Sequence, residues 1–493
     1  MLIFCVVIYM LATVALGLYA SLRVKDSKDF MVAGRSLPLY MSFACVFATW
    51  FGAETVLSVS AKFAHKGLGF VSGDPFGASF CLVLVAIFFT RTFYRLGLLT
   101  IGDYYHQRYG KLVEIITSLG IACSYFGWTS AQLSALGLVI NVLFPDISLN
   151  QAILIGSVIV TFYTLFGGMW SIALTDVVQT AAIVIGLIVV AMLLGQQAGG
   201  FDKVVSAAQA EGKLTLFPHL TASAWMVFIG EFLTMSLGSI PQQDVFQRVT
   251  SARDEKTAFL GTLGGGLFYF AFSFVPMFIA YAATVIDPTY QAHFQAEDAR
   301  EVQKILPALV LHDTPIWCQV LFFGAVLSAI LSTASGTLLA PASLLTENVL
   351  QPVLKHFSDR ALLWTIRGVL IVVSILATII ACNSESTMYE MVESGYKISL
   401  VVAFTPLVFG IYWKRATTQA ALLSIVCSVV VWLFAETFYD EESAQFWKCI
   451  PPQLYGLAAG IAGMLAGGLL PQWLAHTEAD PEVLAARKGT AGH

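Results

Sequence analysis

Residues 47–57 of this chain read FATWFGAETVL, and they lie inside an apolar stretch that runs from about 38 to 63. The stretch is long enough to cross a bilayer, which takes roughly 20 residues of helix. Its middle nevertheless holds Thr49, Trp50, Gly52 and the carboxylate Glu54. An ionisable group at membrane depth normally faces protein or water, and glycine beside polar residues there is typical of a broken helix. We therefore predict that this segment forms half of an ion and solute site.

The composition of the whole chain indicates an integral membrane protein. Of its 493 residues, 57% are hydrophobic and only 12% are charged, and the mean hydropathy is +0.78. Soluble domains carry about 25% charged residues. The apolar surface is thus too extensive for a soluble domain with a single anchor, and we expect an all-α polytopic membrane protein.

Apolar runs separated by polar breakers predict thirteen spans. Their approximate limits are 2–22, 38–63, 68–92, 114–142, 150–166, 170–195, 224–247, 258–285, 317–345, 362–382, 392–413, 417–437 and 453–474. Lysine and arginine concentrate in alternate loops, which predicts an external N-terminus and a cytoplasmic C-terminus. The first span lacks a basic n-region, so we interpret it as a retained helix. We expect a multi-pass protein of the plasma (inner) membrane.

The spacing of the breakers predicts an internal repeat. Gly52 interrupts the second span, and the run 238–241 (GSIP) interrupts the seventh. Paired interruptions of this kind are typical of inverted-repeat transporters. The predicted organisation is an extra N-terminal helix and loop (1–37), a first five-helix repeat (38–195), an external loop (196–223), a second repeat (224–413) with an external loop at 286–316, and two C-terminal helices with a short cytoplasmic tail (414–493). The loop 286–316 is predicted to hold a short surface helix at 295–309.

The ninth span offers oxygen atoms for a small cation. Ser332 and Thr333 carry hydroxyl groups, and Ala329 lies one turn before Thr333, so its carbonyl can point the same way. The alternative is that these small residues simply permit close packing of helices in lipid.

Several other polar residues lie within or beside apolar spans. Asp74 and Asp176 are acids at or near membrane depth, where a functional role is the default expectation. For Asp176, helix capping or a structural salt bridge is the alternative. Glu393 and Lys397 are spaced four apart on a helix, which also suits a structural ion pair. Trp128, like Trp50, could be a core aromatic or a wall against a cationic solute. The sequence contains no HExxH pair and no P-loop lysine, which disfavours a membrane protease or an ATP-driven pump.

Five segments together resemble the solute:sodium symporter family, which includes the sodium/glucose, sodium/proline and high-affinity choline transporters. They are DFMVAGRSL at 29–37, ATW at 48–50, TLFGGMWSIALTDVVQ at 164–179, IPQQDVFQR at 240–248, and the Ser332–Thr333 pair. The resemblance extends over nearly the whole chain. It implies a LeuT-type five-plus-five inverted repeat with about 13 transmembrane helices.

The same resemblance implies functional residues. Sodium would be held by the backbone carbonyls of Ala48, Phe51 and Ala329 and by the hydroxyls of Ser332 and Thr333. Asp176, with Ser335, would serve a sodium pathway or a second sodium ion. In the choline branch, tryptophans matching Trp50 and Trp128 wall a quaternary ammonium, whereas the third tryptophan of that cage is Gln242 here. The expected solute site comprises Trp50, Gly52, Glu54, Asp74, Trp128, Gln242, Glu393 and Lys397.

These features predict a sodium-coupled symporter that works by alternating access and is not an enzyme. The expected solute is a small organic cation or zwitterion, such as an amine or amino acid, and a sugar or organic acid is the alternative. Binding without net transport, as in a solute sensor, and coupling to protons through Glu54, Asp74 or Asp176 remain open. We expect no cofactor beyond the coupling sodium ion, and the expected partners are the solute, sodium and the lipid bilayer, with no nucleic acid.

Overall fold

The computed structural model describes residues 1–218, 221–294, 299–352, 358–440, 443 and 445–472, without the side chains of 163, 299 and 300. This part of the chain is built of helices and contains no β-strand; one β-bridge in it joins Leu37 to Ala252. The main helical segments are α1 (Leu2–Ser21), α2a (Leu39–Trp50), α2b (Glu54–Lys66), α3 (Ser72–Leu96), α4 (Lys111–Leu143), α5 and α6 (the parts of Leu149–Gln197 before and after Gly168), α7a (Ala222–Leu237), α7b (Gln243–Thr250), α8 (Glu255–Ile286), α9 (Ile316–Leu350), α10 (Asp359–Asn383), α11 (Met388–Tyr412), α12 (Thr418–Glu436) and α13 (Pro452–Leu469).

The helices agree with the predicted membrane architecture. Within the described residues, nine helices are long and apolar enough to cross a bilayer, and the bent pair α2a–α2b makes a tenth. Two shorter apolar helices, Leu149–Phe162 and Ala222–Leu237, and the C-terminal α13 occupy the remaining predicted spans. Each of the thirteen predicted spans therefore overlaps a helix or a broken helix.

Shorter helices connect the spans. They are Ser27–Val32, Ile101–Tyr109, Phe201–Ala210, Thr289–Phe294 and Ala299–Asp313. The predicted surface helix at 295–309 corresponds to the last of these, although 295–298 lie outside the described residues. This helix buries Leu306, Leu309 and Val310 against the bundle. The predicted tail at 473–493 also lies outside the described residues.

The second span is broken where the sequence predicts it. α2a and α2b meet at an angle of 54°. The backbone N–H of Gly52 donates to the Trp50 carbonyl at 3.1 Å, so it no longer serves the carbonyl of Ala48 four residues back. A Cβ atom at Gly52 would lie 2.9 Å from the carboxyl carbon of Glu54, so any larger residue would displace this carboxylate. The glycine thus lets the Glu54 carboxylate fold back over the break.

The seventh span is also broken. α7a ends at Leu237, the chain turns through 238–242, and α7b begins at Gln243. The bridge from Leu37 to Ala252 fixes the chain that follows α7b against the chain that precedes α2a. The two interruptions therefore lie in one packed core, and α4, about 50 Å long, passes both of them.

Candidate functional site

Glu54 is the centre of the first break. Its side chain is only 3% exposed, and both carboxylate oxygens accept hydrogen bonds from α4. The indole Nε1–H of Trp128 donates to Oε1 at 3.1 Å, and the amide Nε2–H of Gln132 donates to Oε2 at 2.6 Å. Both donors are neutral, and Glu54 forms no salt bridge with any described residue. The carboxylate is thus oriented by hydrogen bonds and buried, but no cationic side chain among the described residues pairs with it.

Four aromatic side chains gather beside this carboxylate. Trp50 stacks on Tyr396 with ring centroids 6.3 Å apart, and Trp128 meets both rings edge-on at 6.0 and 5.6 Å. Tyr125 stacks on the far side of Trp128 at 6.3 Å. All four are at most 4% exposed. Aromatic faces attract cations, so the cluster and Glu54 favour the same sign of solute charge.

Asp74 lies beside Thr55, the residue that follows Glu54 in α2b. Its Oδ2 accepts a hydrogen bond from the Thr55 hydroxyl at 2.8 Å, and its Oδ1 accepts one from the Tyr269 hydroxyl. The backbone at Asp74 is extended (φ −132°, ψ 122°) within the first turn of α3. Asp74 is therefore held by two hydroxyl groups and reaches the Glu54 site through Thr55.

Gln242 lies at the second break, also against α4. Its amide Nε2–H donates to the Ser124 hydroxyl at 2.8 Å and to the Ser399 hydroxyl at 3.0 Å. Ser124 precedes Trp128 by one turn, so Gln242 is a neighbour of the aromatic cluster. The structure therefore brings Trp50, Gly52, Glu54, Trp128 and Gln242 together around one face of α4.

The predicted sodium ligands lie where α2a meets α9. The Thr333 hydroxyl donates to the carbonyl of Ala48 at 3.4 Å. Phe51 and Ala329 lie about one turn from these two residues on the same segments. The Ser332 hydroxyl turns instead to α6, where it donates to Asp176 Oδ1 at 2.6 Å.

Asp176 is fully buried, and its second oxygen has no hydrogen-bond partner among the described residues. The Ser335 hydroxyl lies one turn beyond Ser332 and donates to the Ser332 carbonyl at 2.9 Å. Asp176, Ser332 and Ser335 thus form a second group of oxygens beside the first. A buried acid with a free oxygen atom is suited to a cation.

Arg248 links the two breaks. Its guanidinium donates two hydrogen bonds to the Thr49 hydroxyl, at 3.0 and 3.1 Å, and it is 3% exposed. Its positive charge acts on both Asp176 and Asp244. The buried arginine therefore offsets part of the negative charge of these two acids.

A cavity of about 770 Å³ is lined by residues of α2b, α7a and α11 and by none of the four aromatic residues. Glu393 and Lys397 line it and form an ion pair at 3.3 Å. A second pair, Lys62 and Glu231 at 2.8 Å, lines it as well, and the Tyr389 hydroxyl donates to Glu231 at 3.1 Å. Glu393 and Lys397 therefore belong to a vestibule and not to the cluster around Trp128.

The opposite end of the bundle is closed by a polar network. Asn348, near the end of α9, donates to Glu114 at 3.0 Å and to Asp103 at 2.8 Å. His106 and Lys111 both contact the other oxygen of Glu114, at 2.6 and 2.9 Å. In alternating access, one state of the transporter is open at one end and closed at the other. The vestibule and the polar network give this structure that arrangement.

The sequence did not predict the places of Gln132, Tyr396, Tyr125 and Arg248 in the site. One signal was available for two of them. Tyr125, Trp128 and Gln132 lie three and four residues apart, so they share a face of one membrane-spanning helix. Nothing comparable marks Tyr396 or Arg248, whose roles arise from contacts between distant helices.

A bundle of this kind, with two broken helices meeting at buried acids, defines a secondary transporter of the LeuT-type inverted-repeat class. Solved structures show the same fold. A Na⁺-coupled sialic acid symporter superposes with a TM-score of 0.79 over 95% of this chain and 98% of its own, at 21% identity. A nucleobase-cation-symport-1 family transporter in a closed conformation superposes with a TM-score of 0.55, over 93% of this chain and 98% of its own, at 16% identity.

The family is shown by sequence. The model of the sodium:solute symporter family matches residues 30–427, and the chain belongs to that family. The fly (Drosophila melanogaster) high-affinity choline transporter 1 is 27% identical, covering 86% of this chain and 69% of its own. The human sodium/iodide cotransporter is 25% identical, covering 94% and 74%. The proline transporter OpuE of Bacillus subtilis is 25% identical, covering 92% of each chain. The protein is thus a multi-pass sodium-coupled symporter of a small solute.

Proposed function

We propose that this symporter carries a small organic cation or zwitterion, such as an amine or an amino acid, together with sodium. The observation that carries the proposal is Glu54: a buried carboxylate whose oxygens are oriented by two neutral donors and which has no cationic partner among the described residues. Leaving a charge buried and unpaired is costly. A positively charged group on the solute removes that cost.

The aromatic cluster supports the same choice of solute. A cation held against the faces of Trp50, Trp128 and Tyr396 gains about 2 kcal/mol or more once it is desolvated. In this structure the rings contact one another, so they have to move apart before a solute can bind between them. A sugar would satisfy neither the charge of Glu54 nor the faces of the rings, and an organic anion would be repelled by Glu54.

The relatives carry solutes of different charge, and the sodium/iodide cotransporter carries an anion, so they do not decide the class of solute. High-affinity choline transporters support a quaternary or tertiary amine, and the proline transporter supports a zwitterion. Gln242 replaces the third aromatic wall by an amide that both donates and accepts hydrogen bonds. An amide at that position suits the carboxylate of a zwitterion better than a methyl group of choline, provided that one N–H turns from Ser124 or Ser399 to the solute.

Sodium is proposed to bind between α2a and α9, with the carbonyls of Ala48, Phe51 and Ala329 and the hydroxyls of Ser332 and Thr333 as ligands. The Ser332 hydroxyl donates to Asp176 in this structure and is proposed to turn to the ion when sodium binds. The break supports this because the Ala48 carbonyl has lost its helical N–H partner and faces the Thr333 hydroxyl. Freed carbonyls of a broken helix are suited to sodium. Asp176 and Ser335 are proposed to form the exit path of this ion or a second sodium site.

Sodium and solute would act on each other through the broken helix. An ion bound at Ala48 fixes the end of α2a, and Glu54 follows it across the break. Coupling is reciprocal, so the solute must tighten sodium by the same factor. The vestibule is proposed to face outside, with the N-terminus outside and the C-terminus in the cytoplasm, in agreement with the distribution of lysine and arginine. Glu393 and Lys397 would then line the path by which the solute arrives.

The test is uptake into proteoliposomes under an inward sodium gradient. Choline, betaine, proline, a primary amine, glucose and lactate are compared, with potassium replacing sodium as the control and with a pH gradient in the absence of sodium as a further arm. We expect sodium-driven accumulation of a cationic or zwitterionic compound and little of glucose or lactate. Accumulation of glucose or lactate in preference to the others would overturn the choice of solute. Uptake driven by the pH gradient alone would overturn the choice of ion.

A further inference from the structure

Gln132 contacts the first helix break at the point where α2b begins. It lies one turn beyond Trp128 on α4 and is fully buried. Its Nε2–H donates to Glu54 at 2.6 Å, and its Oε1 accepts a hydrogen bond from the backbone N–H of Ala53 at 3.1 Å. One amide therefore binds the backbone of the break and the carboxylate that faces the solute.

The chemistry of the amide group explains why this residue suits the position. Glutamine offers a donor and an acceptor on the same planar group, so it can hold an N–H and a carboxylate at once. Leucine offers neither. Glutamate would keep the acceptor but replace the donor by a carboxyl group beside Glu54. Substitution by leucine thus removes both hydrogen bonds, whereas substitution by glutamate removes only the one that Gln132 donates to Glu54.

We propose that Gln132 is the positioning residue that transmits the state of the sodium site to the solute site. When sodium orders α2a at Ala48 and Phe51, the backbone at Ala53 takes a fixed position, and Gln132 turns that position into a fixed orientation of Glu54. This inference rests on the proposed roles of Glu54 and of the sodium ligands. It adds that the enhancement of solute affinity by sodium depends on Gln132.

The measurement is the affinity of a cationic probe with and without sodium. Binding is followed by thermal shift or by a radioligand, with choline as the probe, or with tetramethylammonium or proline if one of these stabilises the parent protein more. Sodium alone is titrated in parallel. In Gln132→Leu we expect the factor by which sodium tightens the probe to fall about tenfold or more, while the affinity for sodium alone changes less than about threefold.

Gln453→Leu is the matched control. Gln453 is also a buried glutamine of a membrane helix, and its Nε2–H donates to the Thr234 hydroxyl at 3.0 Å. Losing this amide should lower the melting temperature without changing the sodium enhancement. A role of Gln132 in packing alone would make the two variants behave alike, and that result would overturn the inference.

Gln132→Glu adds a signature that structural damage cannot imitate. The introduced carboxyl group and Glu54 would share a proton, and at low pH the protonated group can donate to Glu54 as the amide does. The other titratable groups close to Glu54 are Asp74, Tyr269 and Tyr396. We expect the sodium enhancement of this variant, relative to the parent at the same pH, to recover as the pH falls.

Failure of the inference and failure of the proposed function give different results. If Glu54→Gln binds the cationic probe as well as the parent does, the proposed solute site is wrong whatever Gln132 does. If Glu54→Gln loses the probe but Gln132→Leu keeps the full sodium enhancement, only the positioning role is wrong. Retained binding of sodium alone shows in either case that the variant is folded.

Discussion

α4 contacts both helix breaks, but the buried acids at the two breaks have different partners. At the first break, α4 presents Trp128 and Gln132 to the carboxylate of Glu54, and no described cation pairs with it. At the second break, α4 presents Tyr125, which exchanges hydrogen bonds with Asp244, and Arg248 supplies positive charge one turn further along α7b. The negative charge at the first break has no cation beside it among the described residues, whereas the charge of Arg248 offsets part of the charge of Asp244 at the second.

This difference suggests that the two broken helices have different roles although they occupy matching positions in the fold. The first break would recognise the charge of the solute and, through Ala48, bind sodium. The second would fix the shape of the site, because Gln242 is occupied by Ser124 and Ser399. Substitutions at the two breaks should therefore separate effects on affinity from effects on stability.

The largest effect is expected from Glu54→Gln compared with Asp244→Asn. Removing the unpaired charge of Glu54 should lower kcat/KM for a cationic solute about a hundredfold or more and leave the melting temperature unchanged or higher. Asp244→Asn takes a counter-charge away from the buried Arg248, so it should lower the melting temperature and reduce uptake less. The measurements are uptake and thermal unfolding of both purified variants. Equal losses of uptake together with equal losses of stability would refute the different roles of the two breaks.

The sequence could predict elements whose signal is local. Long apolar runs define the spans, and Gly52 and Glu54 mark the first break because both are anomalous at membrane depth. The spacing of Glu393 and Lys397 predicts their ion pair, which forms at 3.3 Å. That spacing could not show that the pair lies in the vestibule, because the position of a helix along the solute path is a property of the whole bundle.

The rest of the site depends on contacts between residues far apart in sequence. Gln132 meets Glu54 across 78 residues, and Arg248 meets Thr49 across 199. A single glutamine in a 33-residue helix has no periodic pattern that assigns it a partner. The orientation of Ser332 shows the same limit: its type suggested a sodium ligand, and only the packing of α6 against α9 brings it to Asp176.

A smaller effect is expected at the sodium ligands of the first break. Ser332→Ala and Thr333→Ala each remove one oxygen from the proposed site, and we expect the sodium concentration for half-maximal uptake to rise roughly tenfold. Ser343→Ala is the control, since it removes a buried hydroxyl from the same helix at the level of Gln247. Sodium titration of uptake, normalised to the amount of protein, is the measurement. Unchanged sodium activation in both variants would place the ion elsewhere.

The smallest effect is expected at Gln242, where the second break adjoins the aromatic cluster. Gln242→Met keeps the length of the side chain but cannot bond to Ser124 and Ser399, so the site should become more apolar while the charge of Glu54 stays in place. We expect KM to change by about threefold, in favour of a quaternary amine and against a zwitterion, with sodium activation unaltered. Competition between choline and proline for uptake measures the change. A loss of uptake as large as that of Glu54→Gln would mean that the second break, too, binds the charged part of the solute.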